Sequence, residues 1–191
     1  MKKISIALII TLFVNSFATA EENFFSCSLG LSSGIPIYGS SSLSDEADKI
    51  STDSRIIAGA FLNLNLNPIN QITFFGGAEV LSDLNWNNDS YKHFSHIGFP
   101  LGIKIYPGLG GLCFGIAYEL GFRGEFLKDK EGKTSNEISS WGNGFKTVLE
   151  YNFSHIGKSN HYPTIGTSWN LMPRGHNAYD NIFQFYIAAN L

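Results

Sequence analysis

The sequence predicts an all-β fold: an eight-stranded antiparallel up-and-down transmembrane β-barrel over residues 21–191. Three observations carry that expectation. Residues 112–126 alternate almost without fault, with Leu112, Phe114, Ile116, Tyr118, Leu120, Phe122 and Phe126 against Cys113, Gly115, Ala117, Glu119, Gly121, Arg123 and Glu125. A period of two is that of a β-strand, whose successive side chains point to opposite faces. The bulky face is apolar and the other is small, glycine-rich and charged, the polarity of a strand with lipid outside and a packed lumen inside. Charged residues make up 15% of the chain, against about 25% in soluble domains. Finally, short turns and long polar connections succeed one another along the chain, as in a barrel with one short-turn rim and one long-loop rim.

The elements follow in order. Lys2 and Lys3 precede the apolar run Ile4–Val14, and Ala18-Thr19-Ala20 ends it in small residues. This is the pattern of a cleaved signal peptide over residues 1–20. The run is too short to span a bilayer, and Cys27 stands too far behind it for a lipoprotein site. Removal of Lys2 and Lys3 leaves eleven basic against sixteen acidic residues. No basic patch points to nucleic acid.

Strand one is expected at about 24–38, with Phe25, Cys27, Leu29, Leu31, Ile35 and Ile37 on the lipid face. Strand two, about 55–66, presents Ile56, Leu62 and Leu64; strand three, about 72–82, presents Ile72, Phe74 and Val80. Strand four, about 94–106, presents Ile97, Phe99, Leu101, Ile103 and Ile105, and strand five covers 112–126. Strand six, about 140–153, presents Trp141, Phe145, Leu149 and Tyr151; strand seven, about 162–172, presents Ile165, Trp169 and Leu171. Strand eight, 182–191, presents Phe183, Phe185, Ile187, Ala189 and Leu191. Residues 67–71 and 107–111 read as short turns, and 39–54, 84–92, 128–139 and 173–181 as long polar loops. The connection 154–161 is longer than its rim predicts. Pro36, Pro100 and Pro163 fall within strands and are expected at bulges or strand ends, since proline cannot donate to a ladder.

Charge gives an independent test of the faces. Glu79, Lys104, Glu119, Arg123, Glu125, Lys146 and Glu150 lie well inside strands, and all seven have the parity of the inward face. An eight-stranded barrel is barely wide enough for its own side chains, so these residues form either a salt-bridged plug or a pore lining. Four Glu against three Lys or Arg nearly balance, which favours the plug. Pairing strands five and six about their loop puts Lys146 diagonal to Glu119 on the same face. A soluble lipocalin-like barrel would show the reverse polarity, an apolar lumen and a wetted outer face.

In this pattern, residues 21–191 resemble the small eight-stranded outer-membrane barrels of OmpA, OmpX and OmpW type. The resemblance rests on Phe99-Pro100-Leu101-Gly102-Ile103-Lys104-Ile105-Tyr106, whose Pro-Leu-Gly followed by Lys-x-Tyr recurs in such barrels, and on the alternating last strand Phe183–Leu191. It implies a place in the cell outer membrane, outer-membrane lipid as surroundings, and recognition of Phe183–Leu191 by the barrel assembly machinery. The last residue, Leu191, stands where these families usually carry Phe or Trp. That departure suggests a lineage with a relaxed signal, such as a spirochaete.

Three functional classes follow: a surface protein whose loops engage an extracellular ligand, as in adhesion; a narrow OmpW-like channel for small or apolar solutes; and, last, a membrane-embedded lipid A-modifying enzyme. His155-Ile156-Gly157-Lys158-Ser159-Asn160 is similar to the His-x-Ser-Asn of barrel lipid A deacylases, but two extra residues part His from Ser and no Glu follows. No catalytic residue, cofactor or metal site is expected. His93, His96, His155, His161 and His176 read as loop and rim residues, and His93 and His96, three apart on a strand, point to opposite faces. Asp45-Glu46-Ala47-Asp48 reads as a solvated loop, lacking the turn Gly and distal carboxylate of a calcium site. Cys27 and Cys113, half a barrel apart and on opposite faces, are expected to stay free thiols.

Overall fold

The computed structural model describes residues 24–139, 141–153, 162–173 and 179–191. The expected signal peptide, the 154–161 connection with its histidine-serine stretch, and His176 lie outside the described residues. Among the described residues nine strands run in chain order: β1 (Phe25–Ile37), β2 (Ser54–Ile69), β3 (Ile72–Trp86), β4 (Tyr91–Ile105), β5 (Leu112–Lys128), β6 (Thr134–Ile138), β7 (Gly142–Asn152), β8 (Tyr162–Pro173) and β9 (Tyr179–Asn190). One short helix, α1 (Ser44–Lys49), lies between β1 and β2. No described helix is long and apolar enough to cross a membrane.

Eight strands close on themselves. Each of β1 to β5 pairs antiparallel with the next, β5 continues to β7, β8 and β9, and β9 returns to β1. At that seam Leu29 faces Ala189 on one side and Leu62 on the other. Cys27 and Leu191 exchange both backbone hydrogen bonds, at 3.1 and 2.8 Å. Closure removes every free edge from the wall, which lipid cannot hydrogen-bond.

The faces are those of an inside-out protein. Leu31, Leu64 and Leu101 are 67%, 66% and 70% exposed, while Glu119 and Arg123 are 0% and 1% exposed. Hydrophobic burial therefore cannot be what holds the wall together in water; the outer face is matched to hydrocarbon.

Four local features differ from the expectation. Strand six is two pieces in one column of the wall: β7 pairs with the lower part of β5 (Leu112–Gly121) and β6 with its upper part (Gly124–Lys128). The segment expected as the loop 128–139 is thus a hairpin turn and a strand, with β6 lining the upper part of β5 above β7. The carboxylate of Asp129 accepts the backbone N–H groups of Glu131 and Lys133, both at 2.9 Å, and Gly132 takes φ 83°. That turn chemistry sends the chain straight back. Second, the expected loop 84–92 is mostly strand. β3 and β4 run on to a four-residue turn, where the side chain of Asn87 accepts from the N–H groups of Asp89 and Ser90. Third, the expected loop 173–181 gives its last residues to β9, which begins at Tyr179. Fourth, Pro100 sits mid-strand without a bulge. The β3–β4 ladder skips Phe99 and Pro100 and resumes in unchanged register at Gly98 and Glu79, because a proline has no N–H to give. The β2–β3 ladder does shift register, between Leu66 and Ile69, around Pro68.

Ile116 is 56% exposed on the outer face of β5, next to the buried Ala117. Arg at Ile116 is expected to cost ~2–4 kcal/mol near the bilayer midplane. Denaturant titration of the barrel folded into lipid checks this, and a neutral Ile116→Arg would reverse the assignment of faces.

Candidate functional site

The lumen is filled from the long-loop rim downward in three charged tiers. Its residues arrive there because a strand's alternate positions must point inward, and lumen glycines leave them room. A Cβ at Gly98, for instance, would run into Oε1 of Glu119.

The upper tier centres on Arg123. Its Nε donates to Glu125 Oε1 at 2.8 Å, Nη1 to Asp180, and Nη2 to the carbonyl of Gly39 at 3.1 Å. Its guanidinium also lies over the ring of Tyr38, 5.2 Å from the centroid. Beside it, Arg55 reaches in from the rim to hold Asp83 in a two-bond fork of 2.9 and 2.8 Å. The middle tier joins Glu79, His96, Glu119, Lys146 and Asn170. Lys146 Nζ donates to Glu79 Oε2. His96 Nε2 is 3.0 Å from Glu119 Oε1, and Asn170 Nδ2 donates to Glu79 at 2.7 Å and to Glu119 at 2.8 Å. In the lower tier Lys104 Nζ donates to Glu150 Oε1 at 2.8 Å, and the Tyr186 hydroxyl donates to the same oxygen at 2.7 Å. Below that, Asn65, Ser28, Asn190 and Thr164 form a neutral hydrogen-bonded chain.

The tiers leave little space. A void of about 10 Å³ lies among Phe61, Phe75, Lys104, Lys146, Glu150 and Tyr186, room for roughly one water. The loop after β1 closes the rim above. Gly39 N–H donates to Asp180 at 2.9 Å and the Ser41 hydroxyl to Glu125 at 2.7 Å. Ala47 of α1 and Ile50 bury against Leu127, with Leu43 and Phe94 packed alongside.

All seven charged residues read from the sequence point into this lumen and are buried. The structure pairs them differently from the expectation. Lys146 stands opposite Ala117 and Glu119 opposite Gly144, so the two are diagonal neighbours, yet Lys146 reaches across the lumen to Glu79. His96 corrects a second expectation. It is 0% exposed and faces the middle tier, whereas His93 faces outward and stacks on Phe126. Asp83, Asp180 and Asn170 were not singled out. Asp83 and Asp180 fall just beyond the strand ends read from sequence, and Asn170 is uncharged. For His96 the signal was present, since it shares parity with Gly98, Gly102 and Lys104. Cys27 lies on the outer face of β1 and Cys113 is buried on β5, four strands away; both are free.

No protein-family model and no curated protein matches the chain. Among solved structures the fold is similar to that of Ail, the attachment invasion locus protein of Yersinia pestis. The TM-score is 0.58 at 9% sequence identity, over 87% of this chain and 97% of that one. The structure of Ail in complex with the heparin analogue sucrose octasulfate gives 0.56 at 9% identity with the same coverage. Neisserial surface protein A gives 0.48 at 15% identity, over 88% of this chain and 95% of that one. At 9% identity the likeness to Ail is one of fold. The chain has the fold of a small eight-stranded outer-membrane β-barrel.

Breaking a buried ion pair by removing one partner strands the other charge. Lys146→Met is therefore expected to cost ~3–5 kcal/mol, and Glu79→Gln added to it to recover a large part. Glu119→Gln added to it is expected to recover less. A double-mutant cycle in detergent or lipid reads this, and additivity of Lys146→Met with Glu79→Gln would dissolve the pair.

Proposed function

We propose that the protein is a non-conducting barrel of the cell outer membrane whose closed outer face engages an extracellular partner, the sealed lumen being a structural plug. One observation carries this reading: charged, hydrogen-bonded tiers fill the described lumen beneath the docked 39–53 loop, and the void between the middle and lower tiers is only about 10 Å³. A channel for small or apolar solutes needs an open bore. A charged, hydrogen-bonded filling offers apolar solutes nothing.

The outer face is built to hold a shape. Besides the Ala47–Ile50–Leu127 cluster, the Ser42 hydroxyl donates to Glu137 of β6, and Lys133 stands 3.7 Å from Glu46. The Ser135 hydroxyl and then Lys133 hold the Glu46 carboxyl below its ordinary value. A lowered carboxyl gives a tie that is present above the ordinary carboxylate range and is lost as pH falls through the lowered value. The 39–53 loop and the β5–β6 hairpin therefore form one preorganised surface, which lowers the ordering cost of binding. Ail is named for attachment and invasion and binds a heparin analogue. Here the outer segments 39–53, 87–90 and 128–139 carry eight acidic residues against four lysines. That balance supports a basic protein surface as partner rather than a sulfated polyanion.

Lipid A modification has no support among the described residues, and the His155–Asn160 stretch lies outside them. Recognition of Phe183–Leu191 by the barrel assembly machinery remains part of this proposal. The strand it would read is β9, whose outward Phe183, Phe185 and Ile187 are exposed.

Two measurements test the reading. Purified barrel in planar bilayers is expected to show no stepwise conductance, and barrel in lipid nanodiscs to pass unretained through heparin resin at low salt. Regular conductance steps would favour the channel, and retention would favour a polyanion. Leu127→Asp is expected to undock α1 and raise protease cleavage within residues 39–53 while the barrel stays folded. Unchanged cleavage would remove the docked surface from the argument.

A further inference from the structure

Glu79, His96 and Glu119 come from the three adjacent strands β3, β4 and β5 and each aims a ligand atom at one point in the mid-lumen. These atoms lie within 4.8 Å of one another, and all three residues are buried. Two other observations bear on that point. The first is Asn170, 0% exposed on β8 at the far wall. Its Nδ2 sits between the two carboxylates, while its buried Oδ1 has no hydrogen-bond partner. An orphaned buried amide oxygen is costly and calls for a physical reason. Turning the amide over exchanges its ends. Oδ1 then faces both carboxylates, which is favourable when a cation stands among them.

The second observation is the charge of the whole lumen. Among the described residues it buries six carboxylates, Glu79, Asp83, Glu119, Glu125, Glu150 and Asp180, against Lys104, Arg123 and Lys146. Arg55 adds one more positive charge from the rim, at Asp83. Counting the carboxylates against Lys and Arg alone, the lumen is two positive charges short. The shortage is sharpest at Glu119, which has no Lys or Arg nitrogen of the described residues within 4.0 Å and faces His96 and Asn170. One divalent cation makes up both charges.

We propose that Glu79, His96 and Glu119, with Asn170 as fourth ligand through Oδ1, form a buried site for a first-row transition dication, zinc above all. A tetrahedral zinc ion with ligand bonds of ~2.0–2.2 Å sets its ligands roughly 3.3–3.5 Å apart. His96 Nε2 stands 3.0 Å from Glu119 Oε1 and 3.9 Å from Glu79 Oε1, so shifts of about half an ångström bring these two pairs to that spacing. One imidazole with three oxygens suits zinc better than magnesium or calcium, which take six or more oxygens. Lys146 stays on the other oxygen of Glu79 and orients it. The ion would tie β3, β4 and β5 to β8 across the lumen. Because the tiers above and below are closed, it is captured as the barrel closes and does not exchange afterwards. This inference is independent of what the outer face binds.

The test refolds the mature chain into detergent micelles with zinc, with magnesium, or with EDTA, in a Cys27→Ser/Cys113→Ser background that removes thiol ligands. Free metal is removed, bound metal is counted by mass spectrometry, and folding is checked by gel mobility with and without heating. The expected result is about one zinc per barrel, retained when EDTA is added after folding, no retained magnesium, and a higher melting point than the EDTA-refolded barrel. His96→Gln and Glu119→Gln are each expected to lose the zinc. Should those variants fail to fold, X-ray absorption of the zinc-loaded parent barrel decides: an imidazole and oxygen shell supports the site. A folded parent that retains no zinc, a His96→Gln barrel that retains as much as its parent, or an absorption spectrum without imidazole overturns it.

Discussion

An eight-stranded barrel in lipid has one place to put charge, and that place is too narrow to hold bulk water. Everything else in the structure answers to this. The outer face excludes charge because hydrocarbon cannot solvate it, so Glu79, Lys104, Glu119, Arg123, Glu125, Lys146 and Glu150 all point inward. Once inside, each must find a partner among the others, because an isolated buried ion is far costlier than a paired one. Arg123, with its planar fork, serves a carboxylate on its own strand, one across the lumen and a loop carbonyl at once. Lysines make single pairs, Lys146 with Glu79 and Lys104 with Glu150.

The faces were legible in the sequence because parity is local. Alternation in Leu112–Phe126 fixes inside and outside without any knowledge of neighbouring strands, and the same rule placed Glu79, Lys104 and Lys146 inward. Partners are not local. Glu79 on β3 and Lys146 on β7 meet across the lumen from strands that share no hydrogen bond, and nothing in either stretch records the length of that reach. His96 was legible by the same parity and was obscured by its residue type, which suits rims as well as cores. Asp180 and Asp83 were hidden by boundaries. Polar residues near a strand end read as loop, although here the wall continues to Trp86 and begins again at Tyr179.

The upper barrel shows the same division. Residues 39–53 have the composition of a solvated loop. What orders them is a few apolar side chains, Leu43, Ala47 and Ile50, finding Leu127 and Phe94. Those contacts join segments far apart in sequence, and α1 itself is too short to hold as an isolated helix. The β5–β6 hairpin was likewise masked by its lysines and acids, with Asp129 and Gly132 supplying the turn.

The seam between β1 and β9 has a consequence for how such a wall comes into being. Leu191 and Cys27 exchange their backbone hydrogen bonds, and ten residue pairs from Ser28 to Ile37 match Asn190 back to Asn181. The first strand and the last are therefore each other's only cover on that side. A chain stopped before β9 would leave β8 and β1 with bare edges in hydrocarbon, and no earlier hairpin could substitute. The barrel is thus a ring with a single clasp. Closing the circumference waits on the twelve residues of β9, and an intact ring is itself proof that every strand of the wall was delivered.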